Sequence, residues 1–108
     1  MEISELTRLM HEFVKSKGWY EEGTPRPQNP RNLAISLSIE AAEVLEHFQW
    51  KETTKDQEEL ADELADVQLY LLQLADVSGI DLEKAVLDKL KKNQTRVWDQ
   101  LPNKGEER

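Results

Sequence analysis

Two pairs of acidic residues, each pair set inside an apolar arc, constrain this chain more than any other feature. Glu40 and Glu43 form the first pair, Glu63 and Asp66 the second. On a helix, an i,i+3 spacing brings both carboxyls to one side. Turning 100° per residue from Arg31 to Trp50, Leu33, Leu37, Ala41, Val44 and Phe48 fall within about 80° of one another. Ser36, Glu40, Glu43 and His47 run alongside, and Ile35 and Ile39 close the far edge. In the stretch from Leu60, the apolar stripe is Leu60, Leu64, Val67, Leu71 and Leu74, with Glu63, Asp66 and Tyr70 on its edge. Two such helices packed antiparallel bring four carboxyl groups to a partly buried seam. Four unpaired negative charges there would cost too much. A divalent cation removes that objection, and hard oxygen donors suit Mg²⁺, with Mn²⁺ as the alternative.

Spacing alone is a weak signal in a chain with 22 acidic residues among 108. Glu2/Glu5, Glu43/Glu46, Asp56/Glu59 and Glu59/Asp62 share it and read most simply as solvated faces. The apolar flanks set the two matched pairs apart. The net charge of −8 argues against binding nucleic-acid polymers, where phosphate neutralisation dominates affinity. It is compatible with a small phosphorylated substrate if a metal and a few local cations bridge the charge. With no cysteine, disulfides and thiolate metal sites are excluded, which fits a cytoplasmic protein. No apolar run approaches 18 residues and no basic-then-apolar start is present, so neither a membrane span nor a secretory signal is expected. The length is that of one domain, residues 1–108, with a polar frayed tail over 101–108.

Taken in order, the periodicity predicts four helices. The first covers about Glu2 to Lys17, with Ile3, Leu6, Leu9, Met10, Phe13 and Val14 on one face, and Gly18 stops it. His11 reads as a boundary residue. Trp19 and Tyr20 open a proline-rich loop, where they serve either as hydrophobic anchors or as a stacking surface for a base. Asn29 caps the second helix with Pro30 in its first position, and that helix is expected to reach about Trp50. Continued helically, it places Trp50 on the side of Glu43. Thr54 and Gln57 form a capping box for the third helix, which runs to about Val77 and ends at Gly79. Asp81 caps the fourth, with Leu82, Ala85, Val86 and Leu90 directed inward. Lys89, Asn93 and Arg96 repeat at i, i+4 and i+7, a stripe of two cations and an amide suited to phosphate oxygens opposite a metal. Ile35, Ile39, Ala42, Leu45, Leu69 and Leu72 lie off the main stripes, so these helices are apolar on two sides; a second copy of the chain is the simplest cover.

Glu40-x-x-Glu43, nineteen residues, then Glu63-x-x-Asp66 resembles the signature of the all-α nucleoside triphosphate pyrophosphohydrolase superfamily, the MazG-like proteins. The segments PRNLAISLSIEAAEVLEHFQWK and EELADELADVQLYLLQLA look like the branch containing the dCTP pyrophosphatases, and the likeness extends through DLEKAVLDKLKKNQTR. What the resemblance implies is an all-α, four-helix antiparallel bundle completed by oligomerisation, as a homodimer or homotetramer. It implies Mg²⁺-dependent hydrolysis of a (d)NTP, dCTP or a related or modified dNTP, between the α and β phosphates to the monophosphate and pyrophosphate. By position, Glu40, Glu43, Glu63 and Asp66 would bind the metal. Trp19, Trp50 and Tyr70 would contact the base, and Lys89, Asn93 and Arg96 the phosphates. Apart from the resemblance, Glu43 and Glu63 are the candidate catalytic carboxylates, with Glu43 accepting the proton of the attacking water. The sequence departs from that branch where Met10 stands in place of a helix-one histidine, with His11 one position on, and in the longer loop YEEGTPRPQNP. Both lie where a base would be read, which leaves the preferred base open.

Competing readings are a pyrophosphohydrolase of a phosphoribosyl nucleotide and a non-catalytic helical interaction module with merely solvated acids. A carboxylate-bridged di-iron bundle needs Glu-x-x-His pairs, and neither histidine follows a glutamate by three residues.

Overall fold

A computed structural model describes residues 1–53 and 56–96. They form four α-helices and, among the described residues, no strand. These are α1 (Ile3–Ser16), α2 (Pro30–Glu46), α3 (Gln57–Val77) and α4 (Leu82–Thr95). Their ends follow local chemistry. Asn29 Oδ1 accepts from the Asn32 backbone N–H at 2.8 Å, with Pro30 opening α2 as expected. The Asn32 side chain turns back and donates to the Pro27 carbonyl at 2.9 Å, tying the loop to the helix start. At α3 the cap is Asp56, whose Oδ1 accepts from the Glu59 N–H at 2.9 Å. The expected Thr54–Gln57 capping box involves Thr54, which lies outside the described residues.

The exit of α3 is closed as the sequence implies. The Gly79 N–H donates to the Asp76 carbonyl at 3.1 Å and the Ile80 N–H to the Ala75 carbonyl at 2.9 Å, with Gly79 at φ 71°. A Cβ there would meet open space, so the left-handed backbone and not crowding selects glycine. Asp81 Oδ1 then accepts from the Lys84 N–H at 3.1 Å and starts α4.

α3 is the spine. α2 lies antiparallel along it: Gln28, just before α2, bonds Gln73, while His47, just after α2, bonds Glu63. α1 packs on the other end, where Met10 and Val14 meet Leu72, and His11 Nδ1 lies 3.1 Å from Asp76 Oδ2. Trp19, Tyr20 and Leu82 pack partly buried against this cluster, so both aromatics anchor the loop. Burying Leu72 or Leu33 fully contributes about 1.5–3 kcal/mol each. No helix among the described residues is long and apolar enough to cross a membrane.

Several apolar positions differ from expectation. Beyond Leu82, the α4 residues Ala85, Val86 and Leu90 are exposed, not inward. The reason is that α4 meets only α1 and α3 and does not reach α2, so nothing in the same chain covers its later turns. On α1, Leu9 and Phe13 are likewise left largely exposed while Ile3, Leu6, Met10 and Val14 do the packing. α1 and α2 are not packed helix on helix either. The chain accordingly has a radius of gyration of 17.1 Å, against about 13 Å for a compact fold of this length.

Candidate active site

The α2–α3 contact is centred differently from the apolar stripes. Ala41, Phe48 and Leu64 of those stripes are exposed, whereas Ser36, Glu40, Glu43 and His47 of α2 and Glu63, Asp66 and Tyr70 of α3 are all partly buried. The two helices thus meet through the boundary between stripe and acid edge. That rotation puts the carboxylates in the interface itself.

Glu40 feels the other three carboxylates there, although among the described residues the ligand atoms found within 4.8 Å of one another are those of His47, Glu59 and Glu63, of which only Glu63 belongs to the expected metal set. Glu40 is pushed above the usual carboxylate range, first by its burial, then by Glu43, which both repels it and shares a hydrogen bond with it, then by the charges of Asp66 and Glu63. The bonds from Gln28 to Gln73 and from His47 to Glu63, at opposite ends of α2, set the antiparallel arrangement on which this seam depends. His47 Nε2 lies 2.5 Å from Glu63 Oε2, with nine-tenths of the imidazole side chain covered. His47, Glu59 and Glu63 each offer a ligand atom, and these atoms lie within 4.8 Å of one another. Sequence reasoning set His47 on the acid stripe but gave it no role; its place one helical turn after Glu43 was the available signal.

Openings flank the seam on two sides. Toward the end of α3 lies a cavity of about 460 Å³ walled by Phe13, Val14, Trp19, Leu33, Ile35 and Leu69, with Asp66, Tyr70, Gln73, Gln28 and Ser36 as polar points. Toward the start of α3, an acidic opening of about 320 Å³ is lined by Glu43, Glu46, His47, Asp56, Glu59 and Glu63, with Lys51 as its cation. Trp19 and Tyr70 therefore reach one cavity, as expected. Phe13 meets the Trp19 ring edge-on with centroids 6.0 Å apart, and the Arg26 guanidinium lies 5.9 Å over it.

Other expected site residues stand apart. α2 ends at Glu46, so the helical projection that set Trp50 beside Glu43 does not apply. Trp50 sits at φ 71° and is 93% exposed, lining neither opening. Lys89 and Asn93 are on α4 and Arg96 directly follows it; α4 has no contact with α2, and none of the three lines either opening. Met10 is in the core and offers no polar group.

Residues 35–105 match the family model described as MazG-like. The chain belongs to the MazG-like family. Among curated relatives it is 34% identical over 103 positions to dCTP pyrophosphatase 1 of Mus musculus, covering 87% of this chain and 58% of that protein. The chain thus spans about three-fifths of the length of the mammalian relatives it matches. A dATP/dGTP diphosphohydrolase of Salmonella phage PMBT28 is 46% identical over 41 residues, 38% of this chain and 14% of that protein. Among solved structures, a pyrophosphatase from Archaeoglobus fulgidus DSM 4304 superposes with a TM-score of 0.66 at 39% identity, covering 84% of this chain and 87% of that one.

Proposed function

We propose that this MazG-like chain is a divalent-metal-dependent nucleoside triphosphate diphosphatase that cleaves a (d)NTP, dCTP or a related dNTP, to the monophosphate and pyrophosphate. The observation that carries the reading is the convergence of Glu40, Glu43, Glu63 and Asp66 on one seam beside an aromatic-walled cavity of nucleotide size. The names of the mouse, phage and archaeal relatives support the same class of reaction.

The donor set fits a hard cation. Burial first, and then the charges of Glu43, Asp66 and Glu63, push Glu40 above the usual carboxylate range, and a divalent ion relieves that repulsion. Glu40, Glu43, Glu63 and Asp66 would hold Mg²⁺, or Mn²⁺, and the His47 hydrogen bond orients Glu63 as a ligand. When bound, the ion neutralises phosphate oxygens and acidifies a water for attack. The protein supplies the rest. The apolar cavity takes base and sugar against Trp19 and Tyr70, and the acidic opening takes the phosphate tail beside Lys51. Glu43, on the seam and lining that opening, accepts the water's proton as the α–β bond breaks.

The reading includes assembly as a homodimer or homotetramer, in which the four-helix bundle is completed. Exposed Ile35, Ile39, Leu45 and Leu69 on α2–α3 and Val86, Leu87 and Leu90 on α4 support it, since soluble chains rarely leave so much apolar surface open. A second copy is also the simplest source of Lys89, Asn93, Arg96 and Trp50 at the seam. A nucleotide-pool role would place the protein in the cytoplasm, working on free nucleotides and on neither membranes nor polymers. The test is a panel of dNTPs, NTPs and phosphoribosyl nucleotides with Mg²⁺, assayed for pyrophosphate beside Glu63→Gln. The expected result is metal-dependent release from deoxynucleotides that the variant loses by at least about a thousandfold. Release only from the phosphoribosyl compounds, or none at all, would overturn it.

A further inference from the structure

The loop before α2 holds one residue more tightly than its exposure requires. Arg26 falls in the lengthened segment YEEGTPRPQNP, between Pro25 and Pro27, and it is exposed. Pro25 has a fixed φ, and Pro27 restricts the Arg26 backbone to extended forms. Both backbone polar groups of Arg26 are bonded as well. Its N–H donates to Thr24 Oγ1 at 3.2 Å, and its carbonyl accepts from Gln28 Nε2 at 2.7 Å. Gln28 Oε1 in turn accepts from Nε2 of the buried Gln73 at 2.6 Å. The Arg26 backbone is therefore tied through two amides to α3, and what is left to move is its side chain.

That side chain supplies charge to the large cavity. Among the described residues lining it, Arg26 carries the only positive charge and Asp66 the only negative one. The chain has 22 acidic residues, yet none of those described pairs with Arg26. Its guanidinium lies instead over the Trp19 ring, 5.9 Å from the ring centre, held by the π cloud. The tie to Gln73 sets this pair near the end of α3, about 10 Å of helix rise beyond Asp66. Phosphates held at the carboxylate seam lie at the other end, so the group that meets Arg26 and Trp19 is the base.

The separation of the two side chains fits a third layer with little adjustment. Stacked groups need about 3.5 Å per contact, so a base between indole and guanidinium needs about 7 Å. The present 5.9 Å is short of that by about 1 Å, which an exposed arginine tip supplies without movement of the loop. We propose that Arg26 is a substrate-binding residue that closes over the nucleobase, its planar guanidinium covering the face opposite Trp19. This rests on the nucleotide reading above and adds a second wall to its base site. Every base has a π face, so the contact responds to the presence of a base and not to its identity.

The experiment measures binding of dCMP and dGMP by calorimetry with Mg²⁺, beside the matching sugar phosphate with hydrogen in place of the base. Wild type should bind the nucleotides at least about tenfold more tightly than the base-free compound. Arg26→Leu should lose about fivefold or more of that advantage for both bases, with affinity for the base-free compound within about twofold of wild type. Arg26→Lys keeps a cation for the Trp19 face but lacks the plane, so it should recover only part of the loss. With the triphosphates, Arg26→Leu should raise KM more than it lowers kcat, because a contact to the base is the same in ground and transition states. An equal loss for nucleotides and base-free compound would mean that Arg26 serves the phosphate or only holds the loop, and would overturn the proposal. So would full recovery in Arg26→Lys, a loss confined to one base, or unchanged binding in Arg26→Leu. If wild type neither binds nor hydrolyses any nucleotide, the nucleotide reading itself fails, a result distinct from nucleotide binding in which Arg26 has no part.

Discussion

Replacing Glu40 with glutamine removes one charge from the most crowded point of the seam and should stabilise the metal-free protein. Its nearest acidic neighbour is Glu43, three residues along the same helix, a spacing of about 5–6 Å between β-carbons. Two unit charges at that distance repel by about 0.7 kcal/mol in bulk water and about 3 kcal/mol at an effective dielectric of ~20. Glu40 is half-buried and the acidic opening admits salt, so a value near the lower end, about 1 kcal/mol, is expected. With an unfolding entropy of about 2.1 cal/mol/K per residue, that raises Tm by about 4 °C. The assay is thermal unfolding at one protein concentration, in EDTA and in Mg²⁺. In EDTA, Glu40→Gln should melt above wild type. In Mg²⁺ the order should reverse, because a ligand at about 100 times its Kd stabilises wild type by about 2.7 kcal/mol, while the variant has lost a ligand. A variant that melts below wild type in EDTA, or that gains as much from Mg²⁺, would refute a carboxylate cluster waiting for a cation.

Further tests follow from the same geometry. In EDTA, the raised Glu40 value means that the folded protein keeps this proton to higher pH than the unfolded chain. Its stabilising contribution is then complete below the ordinary glutamate value of 4.5 and is lost as pH rises through the raised one. The wild-type midpoint should decline across that window and Glu40→Gln should flatten the decline, as followed by melting at stepped pH. His47→Leu frees Glu63 from its 2.5 Å partner and should weaken Mn²⁺ binding by about 10–100-fold in a titration read by electron paramagnetic resonance; unchanged affinity would exclude an orienting role. Asn29→Ala removes the α2 cap and should cost about 1 kcal/mol in denaturant unfolding, with Mg²⁺ affinity retained. Ile39→Asp should shift the mass measured by light scattering toward that of a single chain, and it should leave the helical circular dichroism signal in place.

Much of this fold was legible because its signals are local. Caps at Asn29 and Asp81, Pro30 at a first helical position and Gly79 after the last turn each act within a few residues, and each appears where the sequence puts it. The seam was legible because Glu40, Glu43, Glu63 and Asp66 all lie on edges that remain close to the packed faces however the helices rotate. Which edge forms the centre of contact was not, because 100° periodicity cannot tell a stripe from its neighbour when both contain apolar residues. α2 carries them almost all round, so the rotation that exposes Ala41 and covers Glu40 depends on the partner helix. Trp50 was misplaced for a related reason: nothing after Glu46 breaks a helix in an obvious way, and the stop is a chain reversal through Trp50 at φ 71°. The inward face assigned to α4 failed because an amphipathic pattern says that a face will be covered, not which chain covers it. The Gln28–Gln73 link was beyond sequence reasoning, since 45 residues separate its partners and Gln28 lies in a loop outside any periodic pattern.

The most direct test of the central reading is to follow one turnover mixture by ³¹P NMR, with dCTP, the protein and Mg²⁺, and to repeat it with EDTA and with Glu63→Gln. The account predicts that the three triphosphate resonances are replaced by those of a monophosphate and pyrophosphate, only with wild type and metal. Formation of a diphosphate and inorganic phosphate, or turnover that persists in EDTA or in Glu63→Gln, would contradict it.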